Sequence, residues 1–252
     1  MLITKLHKMR TLLDKHRPLN IAVMKNIQAD LMLKYNQQSN AIEGNTLDIF
    51  ETRVLLESGI TANGKPFKDH LDIINHQEAI GYLTDLVKEN APLTEVTIKN
   101  FHYLLLQKTD NAREAGQYRN VPVVINGAEH QPPQPFLVHP QMEELMRWNQ
   151  ENLNILEPIE RIATLHNKFV AIHPFIDGNG RTGRLLMNLE LMKAGFQVTI
   201  LKAENRADYY RALALGDLGN YQPITEFIAK AIYETMERTL NLIYPNWINE
   251  LN

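Results

Sequence analysis

The sequence predicts an all-α protein interrupted once by a small β-hairpin. Apolar residues recur at helical spacing through most of the 252 residues. A single stretch, Val121-Pro-Val-Val-Ile125 followed by Asn126-Gly127, carries a strand-and-turn signal. The chain is 44% hydrophobic, long enough to bury a sizeable core, and has no cysteine, which excludes disulfide frameworks, thiolate nucleophiles and Cys-based metal sites.

The elements follow in order. The opening MLITKLHKMRTLLDKHRP threads basic residues through its apolar ones, so it reads as neither a signal peptide nor a membrane anchor, and no apolar run is long enough to span a bilayer. A soluble, cytoplasmic protein is the expectation. Helix 20–43 carries Ile21, Met24, Ile27, Leu31 and Leu33 near helical spacing, with Pro18 upstream and Gly44-Asn45 as its C-cap. A second helix is expected from Thr46 to Gly59, then a loop over 61–66, a long helix over 68–90 and another over 97–107. Residues 108–138 break the pattern, with the hairpin strand demoted to an edge by Pro122 and followed by the return Gln131-Pro-Pro-Gln-Pro135. Helices are expected over 139–152, 158–172, 180–195, 206–216 and 223–244. Lys+Arg number 26 against 29 Asp+Glu, a net charge of −3, and no basic patch or winged-helix module is visible, so neither nucleic acid nor a membrane is expected as a partner.

One stretch concentrates chemistry: Ala171-Ile-His-Pro-Phe-Ile-Asp-Gly-Asn-Gly-Arg-Thr-Gly-Arg184. Pro174 ends the incoming helix, while Gly178 and Gly180 let the backbone approach a ligand closely. A loop turning into a helix points bare N–H groups outward, an anion-binding concavity suited to phosphate. Arg181 and Arg184 share a face of the new helix and can fork onto phosphate oxygens. Asp177 is a hard oxygen ligand beside that cradle, as Mg²⁺ prefers, and His173 can accept a proton near neutral pH. The Walker pattern is absent, and no strand precedes the loop as a dinucleotide fingerprint would need.

His173-Pro-Phe-x-x-Gly-Asn-Gly-Arg-x-x-Arg184 resembles the signature of the Fic-domain proteins at every defined position, with further agreement over roughly residues 35–235. The resemblance implies the Fic fold, a helical core with a β-hairpin flap. It divides the chain into an N-terminal helical extension (1–60) and a catalytic domain (61–252, core about 95–235). It also implies AMPylation, the transfer of AMP from ATP to a Ser, Thr or Tyr hydroxyl of a protein. His173 would be the base, Asp177 the Mg²⁺ ligand, Gly178, Asn179 and Gly180 the anion hole, and Arg181 and Arg184 the clamp on the β/γ end. Thr182 and Gly183 complete the nucleotide loop, and Phe175 would pin it to the core. Ile125, Asn126, Gly127 and Ala128 in the flap would line the nucleotide and register a target segment. Tyr209 and Tyr210 would stack near the adenine. Asp217 stands where relatives often carry Asn, and it can accept from the exocyclic amine but cannot donate.

Ser39-Asn-Ala-Ile-Glu43-Gly44 resembles the family's inhibitory motif. A glutamate in a last helical turn meets the negative end of the helix dipole and calls for a cation. The resemblance assigns that cation as Arg184, with Glu43 blocking the γ-phosphate and Ser39 sharing its helix face. His70, His76, His102 and His166 are expected to be structural. AMP removal by the same site and an ATP-sensing module without turnover stay open as alternatives, as do self-modification and a homodimer.

Overall fold

The computed structural model describes residues 2–15, 21–125 and 130–251. Among the described residues there are ten α-helices and no strand. They are α1 (Leu2–Lys15), α2 (Ile21–Ile42), α3 (Ile49–Ser58), α4 (Phe67–Lys88), α5 (Glu95–Leu106), α6 (Pro135–Glu151), α7 (Pro158–Ile172), α8 (Asn179–Lys193), α9 (Arg206–Asp217) and α10 (Gln222–Ile243). No described helix is long and apolar enough to cross a membrane.

Local chemistry sets most of the ends. Asp48 caps α3 and completes a capping box with Glu51, so that helix starts at Ile49 rather than at the expected Thr46. Gly59 closes it in the left-handed conformation (φ 69°). Thr94 caps α5. Glu157 caps α7 through the amides of Ile159 and Glu160, with Pro158 at the first helical position. α6 begins at Pro135, four residues before its expected start, because a proline is tolerated in the first turn. α1 has a clear apolar stripe of Leu6, Met9, Leu12 and Leu13, all buried, and it packs on α10.

The expected hairpin is not formed by the described residues. Residues 121–125 and 130–134 run as chain without strand pairing. Pro122, Pro132 and Pro133 lack the N–H groups that a ladder requires. The turn residues Asn126, Gly127 and Ala128 lie outside the described residues.

Two apolar clusters meet along α7 and α8, which are buried over most of their length. In one cluster Ile27, Leu31, Met32 and Tyr35 of α2 join α4, α5, α6, Phe169 and Phe175. The other gathers α1, α9 and α10 against Ile162, Met187 and Leu191. The consequence for function is positional: the α7–α8 junction is packed within the core, and α2, α4, α5 and α9 surround it.

Candidate active site

α7 ends when His173 enters the left-handed region (φ 51°, ψ 58°), its N–H bonded to Phe169 O at 3.1 Å. Such a backbone is uncommon for a residue other than glycine and costs about 1–2 kcal/mol, so neighbours must hold it. α8 starts after Gly178 (φ 75°) with no side-chain cap, leaving its first N–H groups free of a local side-chain acceptor. Between them the loop is stapled by Asn179, whose side chain accepts from Phe175 N (2.9 Å) and donates to Phe175 O (2.8 Å).

Phe175 is fully buried and stacks on the His102 ring, centroids 3.7 Å apart. His102 Nδ1 accepts the Gly116 N–H at 2.9 Å, so the proton sits on Nε2, which donates to Asp177 O at 2.9 Å. Burial pushes this imidazole down to about 4 and keeps it neutral. A histidine on α5 therefore braces the loop.

His173 Nδ1 lies 3.3 Å from Val170 O, a carbonyl that can only accept. That contact assigns the proton to Nδ1 and leaves Nε2 with its lone pair. Burial, reinforced by the charge of Arg119, holds the imidazole below its ordinary range and therefore in its basic form at pH 7.

The Asp177 carboxylate is half-exposed, with Oδ1 accepting the Gly178 N–H (2.6 Å) and Oδ2 accepting from Asn111 Nδ2 (3.3 Å). Burial pushes the carboxyl up, but Arg181 and the Gly178 amide outweigh it and keep the group ionised. Among the described residues no cluster of three or more His, Asp or Glu could hold a metal unaided. One carboxylate oxygen donor beside an anion cradle suits Mg²⁺ arriving on a polyphosphate and would not retain a resident ion.

The two arginines of the loop are both buried and both engaged. Arg181 Nη1 bonds Asp72 Oδ1 of α4 at 2.7 Å and its Nη2 approaches Asp177 Oδ1 at 3.7 Å, while Lys68 holds the other Asp72 oxygen at 2.6 Å. Arg184 donates from Nε to Ser39 Oγ (3.0 Å) and from Nη2 to Ser39 O (2.7 Å) and Glu43 Oε1 (2.7 Å). Burial raises the Glu43 carboxyl, the Arg184 guanidinium lowers it further, and the net shift is downward. Glu43 also lies over the start of α8: a Cβ built on Gly180 would fall 2.2 Å from its Oε1. The carboxylate thus stands over the uncapped first turn of α8.

The remaining candidates divide. Thr182 and Gly183 are buried, and a Cβ on Gly183 would meet His166, Phe169 and Val170 at 3.2 Å. Tyr209 is buried with its hydroxyl on His166 Nε2 (2.7 Å), and His166 Nδ1 donates to Gly183 O (3.0 Å). Tyr210 is 41% exposed with Arg206 over its ring. Asp217 Oδ1 accepts from Asn167 Nδ2 at 2.9 Å, and Ile125 is half-buried. Asn126, Gly127 and Ala128 fall outside the described residues. Sequence reasoning missed Asp72, Asn111, Arg119 and the bracing role of His102; none belongs to a local pattern, and each is defined by what it reaches across the fold.

Fold and junction together define a helical protein built around a glycine-containing loop that opens directly into the uncapped start of α8. Residues 92–191 match the model of the Fic/DOC family. The chain is 35% identical over 232 residues to protein adenylyltransferase fic-1 of Caenorhabditis elegans, covering 91% of this chain and 45% of that protein. A solved structure of Fic-1 from the same nematode superposes with a TM-score of 0.87 at 32% identity, over 97% of this chain and 72% of that one. A Fic-domain-containing signaling protein from Bacteroides thetaiotaomicron gives a TM-score of 0.87 at 25% identity, over 96% and 97%. The chain belongs to the Fic/DOC family. It spans less than half the length of the curated nematode relative.

Proposed function

We propose that the protein is an adenylyltransferase that moves AMP from ATP to a Ser, Thr or Tyr hydroxyl of a protein, with residues 1–60 as a regulatory extension of a catalytic unit over 61–252. The observation that carries this reading is the pairing of a neutral His173, its Nε2 unprotonated, with an uncapped helix N-terminus and two arginines in the first turns of that helix. In the proposed reaction His173 Nε2 takes the proton of the target hydroxyl as its oxygen attacks the α-phosphorus. The bond between the α-phosphorus and the bridging oxygen breaks, and pyrophosphate leaves with that oxygen. The N–H groups of Asn179 and Gly180 and the Arg184 fork stabilise the displaced charge, the Gly178 N–H holds the Asp177 carboxylate in place, and that carboxylate would supply the oxygen donor for Mg²⁺. When bound, the ion neutralises phosphate charge.

Tyr210 and Asp217 take the base end in this reading, and a target segment docks along 121–125 by adding to an exposed backbone edge. Glu43 is the brake. Its carboxylate stands over Gly180 and on Arg184, and one guanidinium fork cannot serve a carboxylate and a phosphate at once.

The test is incubation of wild type, Glu43→Gly and Glu43→Gly/His173→Ala with ATP and Mg²⁺, followed by intact mass. One AMP added to Glu43→Gly, little on wild type and none on the double variant is the expected pattern. Absence of any adduct, with an AMP-modified protein losing AMP when ATP is omitted, would instead support removal of AMP by the same residues.

A further inference from the structure

Arg119 is buried, yet no carboxylate pairs with it among the described residues. Its guanidinium bonds only backbone carbonyls: Nε to His173 O (2.8 Å), Nη1 to Val121 O (3.1 Å), and Nη2 to Pro133 O (2.6 Å) and Ile172 O (3.4 Å). Its own N–H adds Pro174 O at 2.9 Å. A buried charge without a counter-ion is costly, and a lone fold-supporting position would be served as well by an apolar side chain. A planar fork is required where several acceptors must be fixed relative to one another. Those acceptors fall into two groups. Ile172 and Pro174 flank the left-handed His173 whose backbone aims its ring, and residues 121 and 133 lie on the two stems flanking the expected flap.

We propose that Arg119 is a positioning residue that joins the two flap stems to the His173 backbone, so that a segment seated on the flap and the imidazole move as one unit. The role in turnover rests on His173 being the base, as proposed above. The joint itself does not. Because 121 and 133 share one guanidinium with 172 and 173, a shift of either stem is passed to the carbonyl of His173. The ring then loses its aim, and with it the Nδ1 contact to Val170 O that keeps Nε2 free. A misplacement of about 1 Å in a reacting group lowers a rate by about a hundredfold.

The experiment compares wild type, Arg119→Met and Arg119→Lys, each alone and in the Glu43→Gly background. Readouts are nitrogen NMR of the His173 ring, hydrogen exchange by mass spectrometry, calorimetric binding of Mg-ATP and AMP incorporation. Arg119→Met is expected to fold. Its exchange should rise in 121–125, 130–134 and 172–174 together, and the His173 tautomer should change from Nδ1–H to a mixture. Mg-ATP affinity should stay within about twofold while AMP incorporation falls at least tenfold. Arg119→Lys, which keeps the charge but not the fork, should fall between. The proposal is overturned if exchange rises only beside residue 119 with the His173 signals unchanged, if Arg119→Lys behaves as wild type, or if both variants unfold. An absence of AMP transfer in Glu43→Gly itself would sink the proposed reaction and leave the NMR and exchange outcomes to decide the joint.

Discussion

Arg181 and Arg184 lie one turn apart on α8, both buried, and each meets a carboxylate at 2.7 Å. Their partners differ. The Asp72 side chain is 6% exposed, sits in the second turn of α4 and is held from behind by Lys68. The Glu43 side chain is 36% exposed and sits at the end of α2 beside the left-handed Gly44. A carboxylate sealed between two helices cannot leave without stranding two charges, whereas one at a helix end with an open side can turn to water. In the proposed reading the first pair is a joint of the fold and the second is a latch. Identical distances conceal this; the exposure of the acid separates them.

The largest expected effect sharpens that contrast. Glu43→Gly should raise AMP incorporation by about 10- to 100-fold, the worth of one released charge-assisted hydrogen bond of about 1.5–3 kcal/mol. Asp72→Asn should give no such rise. Initial rates from intact mass distinguish the two, and equal activation by both variants would break the distinction.

Stability should run the other way. Asp72→Asn leaves the Arg181 charge buried and should lower stability by about 3–5 kcal/mol, read as a fall of roughly 6–20 °C in Tm. Glu43→Gly also strands Arg184, but Mg-ATP should restore its Tm because phosphate replaces the carboxylate. If ATP rescues Asp72→Asn equally, Arg181 is a nucleotide clamp rather than a joint.

Both pairs should fail together in acid. His102 braces the Asp177 end of the loop and His166 backs Gly183, next to Arg184; burial pushes each imidazole down to about 4. A histidine depressed in the folded state binds its proton mainly after unfolding. Its contribution is therefore present above the unfolded value of about 6.5 and is lost as pH falls from there towards 4, by as much as about 3 kcal/mol per group. Urea midpoints should drop between pH 7 and pH 5, and less so in His102→Gln, which retains one donor and one acceptor. A flat profile would show that the rings titrate normally.

The smallest effect belongs to Ser39→Ala. It removes the bond from Arg184 Nε but keeps the one to Ser39 O, so the latch weakens by about 1 kcal/mol and basal transfer rises severalfold. No change, measured in the wild-type background, would assign the whole latch to Glu43.

What was legible from the chain follows from range. The helical fold class, the C-cap at Gly44 and the loop from His173 to Arg184 are contiguous patterns, because turn chemistry and glycine geometry act over a few residues, whereas the caps at Asp48, Thr94 and Glu157 emerged only with the structure. α1 shows the same logic in reverse. Its stripe of Leu6, Met9, Leu12 and Leu13 is as periodic as any, but the interspersed Lys and Arg invited a reading only of what the segment is not. The hairpin expectation rested on Asn126-Gly127, which lie outside the described residues; the prolines that already limited it to a short edge leave 121–125 and 130–134 without strand pairing.

The amino-acid sequence by itself determined which groups the junction contains: a histidine, a carboxylate, glycines and two arginines. Only the tertiary structure decided how each is used. Arg184 reaches Ser39 across 145 residues and Glu43 across 141, and Arg181 reaches Asp72 across 109. The tautomers of His102, His166 and His173 follow from carbonyls and amides met in space. Local backbone chemistry is written in neighbours along the chain, while the partner of a buried charge is chosen by packing.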